Sequence, residues 1–126
     1  MLLQNEIIMD SQEFIKIIKA VVRDGAINDV ISAIESPPGR KVSEQQKIRS
    51  EWYQSLSDEH RQIIKSIVSD SVDSALFGFL CVIDGVRAIE SGPDKGSLEL
   101  LYSKPQSVKL NPQDGIMLHD LYNAPE

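Results

Sequence analysis

Two histidines, one cysteine and one tryptophan are all that this 126-residue chain has of those types, and the shortage narrows its chemistry at once. A lone cysteine forms no intramolecular disulfide and suits a reducing compartment. A zinc site would have to join His60, His119, Cys81 and an acid, and their spacing gives no ligand pattern. No phosphate-cradling glycine loop, dinucleotide fingerprint, G-x-S-x-G elbow or HExxH stands in the chain. Basic charge is short as well: 13 Lys and Arg stand against 19 Asp and Glu, a formal charge of −6. Such a balance disfavours nucleic acid, whose phosphates call for a basic patch, and docking on an anionic membrane. The longest uninterrupted apolar run, Ala75 to Ile83, is nine residues with Gly78 inside it, where a membrane span takes about 20. The opening MLLQNEIIMD has no basic n-region and is interrupted by Glu6, unlike a signal peptide. A soluble, cytoplasmic protein of one domain covering residues 1–126, with no cofactor, is the expectation.

What the chain does have is helical patterning. Asp10-Ser11-Gln12-Glu13 has the form of a capping box, and Phe14, Ile15, Ile17, Ile18, Val21 and Val22 follow at helical spacing. Asp24-Gly25 is expected to end that helix, with a short second one behind it carrying Ile27, Val30, Ile31 and Ile34, the two forming an αα-hairpin. Ser36-Pro37-Pro38-Gly39 is a break, since each proline denies its predecessor helical geometry. Ser43-x-x-Gln46 caps a third helix bearing Ile48 and Trp52, with Trp52 expected on the core.

The stretch from Leu56 to Gly85 reads as the spine. It opens on Ser57-Asp58-Glu59 and closes on Asp84-Gly85. Ile63, Ile64, Ile67, Val68, Val72, Leu76, Phe79, Leu80 and Ile83 supply its apolar face, although Phe79 to Ile83 could instead be a buried strand. Ser71, Ala75 and Gly78 make a stripe of small residues, over which another element should cross near Gly78. After the spine the period changes. Val86–Glu90, Ser97–Ser103 and Val108–Leu110 alternate as strands do, and Ile116–Tyr122 suits a last helical turn or an edge strand. The fold class expected is therefore α+β: a four-helix N-terminal part with a long central helix, then a small two- or three-stranded antiparallel sheet.

Chemistry has few carriers. Cys81, among Phe79, Leu80, Val82 and Ile83, is a buried small hydrophobe rather than a nucleophile. His60 lies solvated in the first turn of the spine, and His119 pairs with Asp120. The charge is uneven: residues 1–56 hold eight acids and seven bases (−1), residues 57–126 eleven acids and six bases (−5). In small size, acidity and lack of a catalytic motif, the chain resembles bacterial immunity proteins that neutralise a toxin. That resemblance implies an acidic inhibitor of a basic toxin or enzyme. Read this way, the chain is a non-enzymatic module that contacts a protein partner through Glu59, Asp70, Asp73, Asp120 and Tyr122, with Tyr53 and Tyr102 as further exposed aromatics. Two alternatives stand beside it: a metal-assisted hydrolase using His119 and Asp120, and a homo-oligomeric structural protein using a sheet edge.

Overall fold

The computed structural model describes residues 8–125, so the N-terminal segment read above as unlike a signal peptide lies mostly outside the described residues. The chain is α+β. Helix α1 (Ser11–Ile17) runs through a π-helical turn (Ile18–Arg23) into α2 (Asp24–Glu35); α3 (Glu44–Ser55) and the long α4 (Asp58–Ile83) follow. Strands β1 (Leu101–Ser103) and β2 (Ser107–Lys109) then pair antiparallel, and α5 (Leu118–Asn123) closes the chain. The helices and the small sheet answer the expected fold class. The chain packs as two compact units, one of residues 1–20 with 75–126 and one of residues 21–74.

In the helical unit of residues 21–74, local capping sets the element ends. Ser43 Oγ accepts the Gln46 N–H while the Gln46 side chain accepts the Ser43 N–H, so two orphan donors are satisfied reciprocally. Helix α3 lies against α2 through Ser50 and Gln54, whose side chains donate to Glu35 O at 3.4 and 2.9 Å. Tyr53 stands on the same side and is buried, against expectation. Ile48 and Trp52 point the other way, so Trp52 is half exposed rather than packed on the core. One helix face cannot serve both sets, and it is the set with Tyr53 that is turned inward. Arg61 ties α4 to the end of α3, donating to Tyr53 O at 3.2 Å and Gln54 O at 2.7 Å while lying over the Tyr53 ring.

Asp24-Gly25 does not end the first helix; Gly25 lies inside α2. The π turn before it, with its i→i+5 bonding, shifts everything downstream off the α-helical stripe, and Val21 and Val22 come out exposed. There is no αα-hairpin at Gly25. Arg23, closing the π turn, donates Nε to Asp73 Oδ1 at 2.6 Å and Nη2 to Oδ2 at 3.2 Å, a two-pronged ion pair between the first helix and α4.

In the other unit, Asp10 caps α1 by accepting the Glu13 N–H. Ile15, Leu80, Leu118 and Tyr122 form its buried cluster, with Phe14, Leu76, Phe77, Ile83, Leu100 and Leu121 packed around them. Residues 79–83 are helix, not strand. The helix ends as a glycine-terminated Schellman turn: Gly85, at φ +78°, donates to Val82 O, and Val86 to Cys81 O. Those bonds explain why Val86–Glu90 is no strand. The Val86 and Arg87 N–H groups are both spent on Cys81 O, and among the described residues only β1 and β2 pair, so the sheet has two strands. Phe79 is exposed, as are Ile63 and Ile67 of the predicted apolar face.

Two polar side chains organise this unit. Buried Asn111 donates Nδ2 to Ile83 O (2.8 Å) and Leu98 O (2.9 Å) and accepts the Leu100 N–H at Oδ1 (2.8 Å). It thereby joins the end of α4 to the chain entering β1. Asp84, whose carboxylate is buried, accepts the His119 N–H at 2.8 Å and meets His119 Nδ1 at 2.7 Å. Helix α5 has no capping side chain of its own at Met117, so a remote carboxylate satisfies one of its orphan donors.

Candidate functional site

Glu59 and Asp70 lie exposed on the helical unit's part of α4, at positions that share one side with Ile63 and Ile67 (i, i+4, i+8, i+11). Ile63 is 55% and Ile67 56% exposed. The opposite side of the same helix carries Ile64, Val68 and Val72, all half-buried. The acids therefore frame a pair of solvent-facing isoleucines. Helix α3 repeats the arrangement: Glu44, Ile48, Glu51 and Trp52 share its outer side, with Ile48 59% and Trp52 50% exposed. Single exposed hydrophobes are ordinary; here four of them, Ile48, Trp52, Ile63 and Ile67, lie beside exposed acids on two helices of one unit.

The remaining three predicted residues do not join it. Asp73 is engaged by Arg23. That pairing raises the Arg23 pKa, chiefly through the hydrogen bond to Asp73, with Asp24 adding and desolvation opposing. Asp120 belongs to the other unit, where its exposed carboxylate stands 3.4 Å from His119 Nε2. Tyr122 is buried in that unit's core cluster with Lys19 over its ring, so it offers no exposed contact. Of the other tyrosines, Tyr53 is buried and Tyr102 half-buried.

His119 pairs with Asp120 as expected, but its shorter partner is Asp84, and Phe77 meets its ring edge-on at 5.7 Å. Asp84 is not legible as a partner in the sequence, because it lies 35 residues away and looks like one half of a turn dipeptide. Among the described residues no group of three or more His, Cys, Asp and Glu side chains is placed to hold a metal ion. Cys81 is buried and free. Gly78 is buried, and what crosses it is a side chain: a β-carbon added there would fall 2.5 Å from Arg87 Nη1. Ser71, the first residue of the small stripe, is exposed and donates back to Ile67 O.

Helix α4 is long and apolar enough to cross a membrane by length and composition, with a window of mean hydropathy 1.6 that is only 17% buried. The nine-residue run understated this, because isolated serines and aspartates break the run without lowering the average much. Compared with protein-family descriptions, curated proteins and solved structures, the chain matches none.

Proposed function

We propose that the protein is a non-enzymatic protein-binding module whose contact surface is the acid-framed apolar stripes of α3 and α4, and that its partner presents a basic surface. The observation that carries this reading is the solvent exposure of Ile48, Trp52, Ile63 and Ile67 between Glu44, Glu51, Glu59 and Asp70. Half-exposed aromatic and aliphatic side chains supply contact energy when a partner desolvates them, and tryptophan is enriched among energetic hot spots. The surrounding acids set orientation and speed encounter with a cationic surface. An inhibitor of a basic toxin or enzyme, acting in the cytoplasm, is the specific role we assign; the net charge of −6 supports it.

A lipid partner for the exposed side of α4 is disfavoured by its charges. Asp70 and Asp73 fall midway along the helix, and each carboxylate at a bilayer centre costs about 3 kcal/mol. The test is capture of partners from native lysate at low and high salt, with the unaltered protein and with Ile63→Glu and Glu59→Lys/Asp70→Lys variants, read by mass spectrometry. A single basic protein, lost at high salt and lost with both variants, is the expected result. Partners retained equally by all variants remove the stripes from the function. A mass by light scattering of twice the chain's, abolished by Ile63→Glu, turns the same surface into a homo-oligomer contact.

A further inference from the structure

A cleft of about 440 Å³ lies in the other unit, between Val82 of α4 and the segment 85–98. Its volume is that of a small-molecule site. Val82, Val86, Ile89 and Leu98 give it an apolar lining that is open to solvent, Val86 and Ile89 being 53% and 67% exposed, and Arg87, Lys95 and Glu90 bring its charges.

Arg87 lines this cleft, and three observations set it apart. Its backbone is held by the N–H bond to Cys81 O at 3.2 Å, just beyond the Schellman turn. Its guanidinium occupies the space that the missing side chain of Gly78 leaves, since a β-carbon there would meet Nη1 at 2.5 Å. In a chain with 19 acids, no carboxylate among the described residues pairs with that guanidinium, nor with the Lys95 ammonium. The one acid in the cleft, Glu90, is turned to the Gly96 N–H instead. Two cations against one anion leave the cleft at +1.

We propose that this cleft binds a small aliphatic monocarboxylate. The planar fork of Arg87 takes both carboxylate oxygens, an arrangement guanidinium geometry matches and an ammonium does not. Lys95 adds a second positive charge, the four apolar side chains cover the aliphatic body, and the net +1 suits a monoanion better than a phosphate dianion. The competing account gives Arg87 no ligand, only the negative end of α4 to neutralise.

The experiment titrates the isotope-labelled full chain with hexanoate, hexan-1-ol and inorganic phosphate, following backbone amide shifts. The expected result is saturable shifts confined to Gly85–Leu98 with hexanoate, at a Kd on the order of 1 mM, the affinity that about eight non-hydrogen atoms reach at ordinary efficiencies. Hexan-1-ol and phosphate should each bind about tenfold more weakly, and Arg87→Gln should weaken hexanoate by about tenfold while the other amide signals stay in place. Gly78→Ala, which displaces the guanidinium, should weaken it similarly. If Arg87→Gln loses the folded spectrum, Lys95→Gln decides, with an expected loss of about threefold. Absence of saturable shifts at about ten times that Kd overturns the proposal. Equal binding of hexan-1-ol, tighter binding of phosphate, or hexanoate binding indifferent to Arg87→Gln or Lys95→Gln each overturns it as well.

Discussion

Asn111 gives the sharpest test of how the unit of residues 1–20 and 75–126 is held together. Its amide makes three hydrogen bonds, all to backbone groups: Ile83 O, Leu98 O and Leu100 N. Asn111→Ala removes all three, and at about 1 kcal/mol net for each bond the loss is about 3 kcal/mol, more if the carbonyls stay dry. Asn111→Asp tests the direction of the bonds, because it keeps the shape and the acceptor for Leu100. It replaces the Nδ2 donor by an oxygen facing two carbonyls at 2.8 and 2.9 Å. At neutral pH the charged carboxylate is repelled, so this variant should be at least as destabilised as the alanine one.

Acid should then rescue it in part. The site favours the neutral carboxyl, which can donate to one carbonyl, so its folded pKa lies above the unfolded value of about 3.9. A raised carboxyl pKa means the native state binds the extra proton, so the recovered stability is full below about pH 3.9 and is lost as pH rises through the folded pKa. Urea unfolding of the three proteins between about pH 7 and about pH 4 reads this as a shrinking gap for Asn111→Asp and a constant gap for Asn111→Ala. A cost below about 1 kcal/mol for Asn111→Ala, or identical pH profiles for both variants, would refute the role given to the amide.

Three further outcomes are expected. Leu118 is fully buried at the centre of its cluster, so Leu118→Ala should cost about 2–5 kcal/mol in thermal or urea unfolding. Tyr53 Oη is buried with no hydrogen-bond partner among the described residues, so Tyr53→Phe should be neutral or stabilising by up to about 1 kcal/mol; a clear loss would mean the hydroxyl is satisfied. Arg23→Ala should cost only about 1 kcal/mol, since Arg23 and Asp73 are 31% and 40% exposed, and the cost should shrink at high salt. A double-mutant cycle with Asp73→Ala separates the pair from its surroundings.

Helix ends are legible in this sequence because they are made by neighbours. The Asp10 and Ser43 caps and the Gly85 stop each satisfy backbone groups within a few residues, and Pro37-Pro38 denies helical geometry to its predecessors, so residue type alone announces them. The same holds for the shallow turn between β1 and β2, where Lys104 N–H closes onto Gln106 O around Pro105. The α+β class follows from these signals together with the change of period after Asp84.

Which side of each helix is buried was decided by tertiary packing. Trp52 and Tyr53 are adjacent and both aromatic, yet Tyr53 is buried with Arg61 of α4 over its ring while Trp52 is half exposed. Ile63 and Ile64 divide in the same way on α4. Hydrophobicity ranks these residues alike, so only the neighbouring helix tells them apart. Gly25 shows the converse, a stop signal carried through by a π turn whose last residue is anchored to Asp73, fifty positions away. The partners of Asp84, Arg87 and Asn111 are decided at the same level: an acid, a base and an amide in turn-rich sequence acquire their roles only when α4, the β1 approach and α5 come together. Local sequence chose where the elements start and stop; long-range hydrogen bonding and burial chose their faces, and the faces hold the candidate sites.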